Sequence, residues 1–163
     1  MRTARFALAA LLLALVAVPY ALAESQTVQG AGDIQKMSAK NGERAVTVKV
    51  FGIAKPCDAH FLNVEIFWGK KKAYRAEAGC YGVDWMTNLY YYENRNAGQG
   101  GDEVRCGKFE MAYNKDRGFY RVFIPRKCLG FAPNKIRVRA EGRNYAGSPL
   151  PGEAGPTKAL ARG

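Results

Sequence analysis

The sequence predicts an all-β fold: an antiparallel β-sandwich of about seven or eight strands, stapled by two disulfides. Three observations predict it. Short stretches alternate apolar and polar residues, turn residues separate these stretches, and the chain has four cysteines. After an apolar leader, no stretch of ten or more residues has a convincing helical period. Frequent short strands of this kind favour a sandwich, and a closed barrel is the alternative.

Residues 1–23 have the parts of a secretory signal peptide. Arg2 and Arg5 precede an apolar run over residues 6–18, and Ala21-Leu22-Ala23 fits the small-x-small rule for cleavage. The run is short for a membrane span, and no second one follows. We therefore expect cleavage after Ala23 and a secreted, extracellular protein with no transmembrane segment.

The predicted domain covers residues 33–142, after a flexible polar lead over residues 24–32. Asn41-Gly42 is a strong hairpin signal between the first two strands. Pro125 ends a strand, and one short helical turn can follow it. Each strand places apolar side chains on one face and polar side chains on the other. The predicted strands are residues 33–40, 44–51, 61–68, 73–80, 84–93, 103–113, 118–124 and 134–141.

Residues 143–163 are predicted to form a flexible tail. Their composition shifts to Gly, Pro, Ala and Ser, and they show no apolar alternation. We expect Pro149, Pro151 and Pro156 not to sit in a central strand, because proline has no N–H to donate.

The four cysteines of an exported chain indicate two disulfides. Three pairings are possible. We favour Cys57–Cys80 and Cys106–Cys128, because each pair joins near neighbours in the predicted strand order. The chain has no Cys-x-x-Cys pair and one histidine, His60, so the sequence predicts no metal site.

The sequence predicts no catalytic residue and no cofactor. His60 is the only imidazole, no serine lies in a Gly-x-Ser-x-Gly turn, and the carboxylates show no spacing that singles out a pair. An extracellular enzyme is therefore the third interpretation of the function.

An aromatic segment over residues 81–92 is the first candidate binding site. In a strand, Tyr90 and Tyr92 share a face with Asn88. Exposed rings beside an amide suit a glycan or a protein partner. The alternative is that the tyrosines only cover a sheet edge or fill the core.

A basic row is the second candidate. Lys135, Arg137 and Arg139 point outward on the last predicted strand, and Arg121 points outward between two phenylalanines. If these strands are neighbours, the four side chains form one cationic strip for an anionic polymer. The alternative is a solvated face that protects exposed β structure from aggregation.

The net charge agrees with an anionic partner. The chain has 25 Lys and Arg residues and 14 Asp and Glu residues. Arg2 and Arg5 are the charged residues of the leader, so its removal leaves 23 basic and 14 acidic residues and a net charge of +9. Basic proteins outside the cell attract polyanions such as acidic envelope polymers, although the same charge also serves solubility.

Two segments of the chain have a recognisable pattern. They are Asp33-Ile-Gln-Lys-Met-Ser-Ala-Lys-Asn-Gly-Glu-Arg-Ala-Val-Thr-Val-Lys-Val50, and the late unit Tyr120-Arg-Val-Phe-Ile-Pro-Arg-Lys-Cys-Leu-Gly130 with Asn134-Lys-Ile-Arg-Val-Arg139. Together they resemble small exported actinobacterial β-sandwich proteins. The resemblance implies export, a β-sandwich and a bond between Cys106 and Cys128. It implies no activity.

Together these observations predict an exported, monomeric, non-catalytic binding domain for an anionic polymer or glycan at the cell envelope. A secreted protein-interaction or inhibitor module is the alternative, and we expect no nucleic-acid role.

Overall fold

A computed structural model describes residues 23–53, 60–81, 84–96, 100–144 and 149–163. These residues form twelve strands and one 3₁₀ turn, Arg126–Cys128. The strands are β1 Ser25–Gly32, β2 Lys36–Asn41, β3 Ala45–Phe51, β4 His60–Trp68, β5 Lys72–Tyr81, β6 Asp84–Tyr92, β7 Asp102–Glu103, β8 Glu110–Asn114, β9 Phe119–Pro125, β10 Lys135–Asn144, β11 Pro149–Ala154 and β12 Leu160–Ala161.

All the strand pairs are antiparallel, and they join into one curled sheet in the order β7-β6-β5-β4-β10-β11-β1-β2-β3-β9-β8, with β12 beside β10. The predicted all-β antiparallel class is confirmed. The described residues contain more strands than the seven or eight predicted. One reason is that residues 103–113 divide into β7 and β8 with a break between them. The other is that both ends of the chain add strands.

The curl places the apolar sides of both halves of the sheet against one core. Val48 of β3 and Val122 of β9 lie in the same buried cluster as Val64 of β4 and Val138 of β10. Alternation explains this placement, because every second side chain of a strand points to the same face. The predicted apolar face is confirmed in β3, where Val46, Val48 and Val50 are buried, and in β10, where Ile136 and Val138 are buried.

The predictions of a flexible lead and a flexible tail are wrong. Residues 25–32 form β1, which pairs first with β2 and then, through Gly30–Gly32, with β11. The described part of the tail contains β11 and β12, and Ala154, Thr157 and Leu160 in it are buried. Backbone pairing and a few buried side chains order these segments without the alternation that sequence analysis requires.

Asn41 ties several of these segments together from a fully buried position. Its side-chain amide donates to the carbonyl oxygens of Leu160 at 2.7 Å and of Asn134 at 3.0 Å. Its side-chain oxygen accepts a hydrogen bond from the Arg126 guanidinium. Its backbone N–H donates to the carbonyl of Glu24 at 2.9 Å. The residue expected only to form a hairpin turn therefore links β2 to both ends of the chain.

Replacing Asn41 by alanine should lower the free energy of unfolding by about 3 kcal/mol, because buried carbonyls and a guanidinium lose their partners. Urea denaturation measures this loss. Asn114→Ala is the matched control, because the Asn114 side chain makes an exposed turn contact with the Arg117 N–H. It should cost less than about 1 kcal/mol. Equal losses in the two variants would contradict the role of Asn41.

The predicted bond between Cys106 and Cys128 is confirmed, with Cα atoms 5.8 Å apart. Cys80 is buried and disulfide-bonded. Cys57 lies outside the described residues, so the predicted Cys57–Cys80 pairing stays a prediction. The leader, residues 1–22, also lies outside them. Within the described ranges, no helix is long and apolar enough to cross a membrane.

Candidate functional site

Both halves of the sheet have an outward side, and the two sides differ in chemistry. The outward side of β10, β4, β5 and β6 is here named the arginine face. It carries Arg137, Arg139, Asn88, Tyr90 and Tyr92, which the sequence placed in two separate candidate sites. Cα pairing aligns Arg139 with Glu65, Glu65 with Arg75, and Arg75 with Tyr90. The structure therefore brings the aromatic and basic candidates together on one face.

A buried carboxylate holds the centre of the arginine face. Glu65 is 3% exposed and pairs with Arg95 at 2.8 Å, Arg139 at 3.0 Å and Arg75 at 3.6 Å. The contacts are ion pairs rather than well-aligned hydrogen bonds. Arg139 therefore forms an ion pair within the protein. This contact weakens the case for Arg139 as a ligand-binding residue.

The tyrosines do not form the open stacking surface that the sequence predicts. Tyr92 is 8% exposed, and the Arg75 guanidinium lies 4.4 Å from the centre of its ring. Tyr90 is half-buried, and burial raises the pKa of its hydroxyl, with Glu77 and Glu103 adding to the rise. Only Tyr90 and Asn88 remain accessible as the predicted aromatic and amide pair.

A shallow cavity of about 150 Å³ adjoins Asn88. Phe61, Met86 and Gly79 line it together with the Glu77 carboxyl. Burial raises the pKa of Glu77, and the neighbouring Arg75 and Arg143 partly oppose the rise. The cavity thus combines an apolar wall with one carboxyl and one amide.

The four predicted basic residues do not form one strip. Lys135, Arg137 and Arg139 lie outward on β10, as predicted. Arg121 lies on β9, where its Cα pairs with those of Lys49 and Ala112 in the other half of the sheet. The prediction of a single face is wrong, because four strands, β11, β1, β2 and β3, separate β10 from β9 in the curled sheet.

Arg121 belongs instead to the outward side of β1, β2, β3, β9 and β8, here named the lysine face. Three lysines that sequence analysis did not select, Lys36, Lys40 and Lys49, lie on it with Arg121. Cα pairing aligns Thr27, Ser38, Lys49, Arg121 and Ala112 in one row across the face. The rows on either side are Gln29, Lys36, Phe51, Phe119 and Asn114, and Ser25, Lys40, Thr47, Phe123 and Glu110.

Phenyl rings lie beneath the cations of this face. The Lys36 ammonium is 4.7 Å from the Phe51 ring centre, and the Lys49 ammonium is 5.2 Å from the Phe119 ring centre. The centres of the two rings are 5.1 Å apart. Cation–π attraction holds the ammonium groups over the rings and leaves them open to solvent.

The cations of the lysine face have no acidic partners within the described part of the chain. The ion pairs found there involve other residues, most of them on the arginine face. Glu110, at the rim on β8, is the single acidic side chain in the three rows. Outward lysines around the Asn41-Gly42 hairpin were a usable signal, because hairpin register places Lys36, Lys40 and Lys49 on one side.

Among the described residues, no group of three or more His, Cys, Asp or Glu side chains is placed to hold a metal ion. Comparisons with protein-family models, curated proteins and solved structures found no match to this chain.

Proposed function

We propose that the protein is an exported, non-catalytic domain whose lysine face binds an anionic polymer at the cell envelope. One observation carries the proposal. Lys36, Lys40, Lys49 and Arg121 share an outward surface with one carboxylate, Glu110, at its rim. An unbalanced group of cations creates a positive potential that attracts polyanions.

The spacing of the charges suits a polymer. Lys49 and Arg121 are opposite each other on neighbouring strands, which places their Cα atoms about 5 Å apart. Lys36 and Lys40 lie four residues apart on one strand, which is roughly 13 Å. Several cations over such distances can contact successive charged units of one chain. The partly exposed rings of Phe51 and Phe123 add apolar contact for sugar rings.

Export is part of the proposal. The leader composition supports it, and the Cys106–Cys128 disulfide suits an oxidising compartment. The second disulfide, Cys57–Cys80, and a monomeric state belong to the same proposal.

A protein-interaction module is the second candidate. Phe131 is 69% exposed and Met86 is 47% exposed, and exposed apolar side chains are common at contacts between proteins. They lie on different elements and do not share the charge pattern of the lysine face. The polymer proposal therefore has the stronger support.

Salt dependence tests the polymer proposal. Binding of the full chain, expressed for export, to polygalacturonate should weaken steeply as salt rises, because each neutralised charge releases a counterion. The double variant Lys49→Gln/Arg121→Gln should reduce the log–log salt slope by about two on the duplex-DNA scale, and by less on a polymer of lower charge density. Isothermal titration at four salt concentrations measures the slope.

The matched control is Lys70→Gln/Lys71→Gln, which removes the same charge at an exposed turn of the other half of the sheet. This variant should keep the wild-type slope, and neutral dextran should not bind. Equal changes in the two double variants would show that only net charge matters. An affinity for polygalacturonate that does not change with salt concentration would exclude the proposed site.

A further inference from the structure

A second site lies at one end of the arginine face, where β4 and β10 separate. Their Cα pairing ends at Phe67 and Arg137. Beyond that point, Gly69 turns the chain into β5 with a φ of 60°. Lys135 meanwhile pairs with β12 on the other edge of β10. The separation leaves a cavity of about 260 Å³.

The lining of the cavity includes two aromatic and two cationic residues. Phe67 and Trp68 are the aromatic residues, here named the aromatic wall, and Lys135 and Arg137 are the cationic ones. Lys135 and Arg137 are exposed, and neither takes part in the ion pairs found within the described ranges. Each can therefore meet a ligand charge without first losing an internal partner.

The neighbouring charges strengthen the positive potential at the cavity. The guanidinium of Arg95 lies 4.0 Å from the ring centre of Phe67, which is one of the residues that line the cavity. Glu65 neutralises only one charge of the three arginines that surround it, Arg75, Arg95 and Arg139. The cluster around Glu65 therefore keeps a net positive charge on the same face as Lys135 and Arg137.

We propose that this cavity binds one acidic sugar unit, in which a single ring carries a carboxylate or a phosphate. Arg137 can hold either group with two parallel N–H bonds, and Lys135 adds a point charge. Trp68, which is partly exposed, offers an apolar surface for the ring, and Phe67 supports the cavity wall from a buried position. The volume is slightly below that of sites for drug-sized ligands, which suits one ring rather than an oligosaccharide.

Tryptophan fluorescence tests the site, because the chain has two tryptophans. In the full chain carrying Trp85→Phe, emission reports on Trp68. Galacturonate and glucose 6-phosphate are the two acidic probes, and glucose and inorganic phosphate are the controls. We expect a saturable emission change with at least one acidic probe and none with glucose. Which acidic probe binds more tightly identifies the charged group.

In that background, Arg137→Gln and Lys135→Gln should each weaken binding at least about tenfold, because each removes a charge-assisted contact. Arg105→Gln is the matched control, because its side chain is 88% exposed at a different edge of the sheet. It should leave the affinity unchanged. Circular dichroism confirms that each variant is folded.

Three results would overturn the proposal. The first is no saturable response to either acidic sugar. The second is an affinity loss in Arg105→Gln as large as that in Arg137→Gln. The third is inorganic phosphate binding as tightly as glucose 6-phosphate, which would show that the aromatic wall contributes nothing.

Discussion

Replacing Glu65 by glutamine should lower the free energy of unfolding by about 3–5 kcal/mol, the usual cost of removing one partner from a buried ion pair. Glutamine has nearly the same shape, so packing is kept and the charge alone is lost. Arg75, Arg95 and Arg139 would then repel one another around a neutral amide. The side chains of Arg95 and Arg75 are only 13% and 17% exposed, so water can relieve little of this repulsion.

Glu141→Gln is the matched control on the same face. Glu141 pairs with Arg143 at 3.2 Å, but both side chains are partly exposed. Partly solvated pairs contribute little, so this loss should stay below about 1 kcal/mol. Chemical denaturation of both variants measures the difference. A Glu65→Gln loss no greater than that of Glu141→Gln would show that the arginine cluster does not stabilise the fold.

The strands of the core were predictable because their alternation is regular. Val46, Val48 and Val50 place every second side chain inward, and Ile136 and Val138 do the same on β10. The hairpin between β2 and β3 was predicted correctly, but its turn was placed two residues too early. Asn41 is the last residue of β2 and pairs with Val46, and the Gly42 N–H donates to the Ala45 carbonyl, so Glu43 and Arg44 form the turn. Sequence analysis therefore found the correct element where burial and turn chemistry are both local, but not the exact register of the turn.

The tail was not predictable, because its order depends on distant parts of the chain. Gly155 has a φ of 103°, and a side chain there would meet the Val138 carbonyl and Arg139. The backbone N–H of Thr157 donates to the Val138 carbonyl at 2.9 Å, and the Val138 N–H donates to Thr157 Oγ1 at 3.0 Å. Gly and Pro, which indicated flexibility, here form a bend that lies against β10.

The candidate sites were only partly predictable, because alternation is a local pattern and the order of the strands is not. Alternation gave the outward direction of Arg121, Arg137 and Arg139 correctly. Alternation could not show that the sheet curls between β9 and β10, or that Arg139 forms an ion pair with Glu65. The order of strands in a sheet depends on long-range pairing, which no local pattern records. Arg121 therefore has other neighbours than the sequence suggested.

A stop codon after Gly147 should prevent cooperative folding. It removes β11, which pairs with β10 on one edge and with β1 on the other and so joins the two halves of the sheet. It also removes β12 and the buried side chain of Leu160. We expect no sharp unfolding transition by calorimetry or circular dichroism.

A point substitution in β12, with a matched control, tests the contribution of the tail without removing it. Leu160→Ala should cost about 2–5 kcal/mol, because it opens a cavity in the core. Arg162→Ser is the control, because this exposed side chain lies two residues away and can change without loss of burial. It should shift the melting temperature little.

If the chain ending at Gly147 melted cooperatively near the wild-type temperature, β11 could not be the link between the two halves. A Leu160→Ala loss as small as that of Arg162→Ser would separately show that β12 does not contribute to the core, and it would support the prediction of a flexible tail.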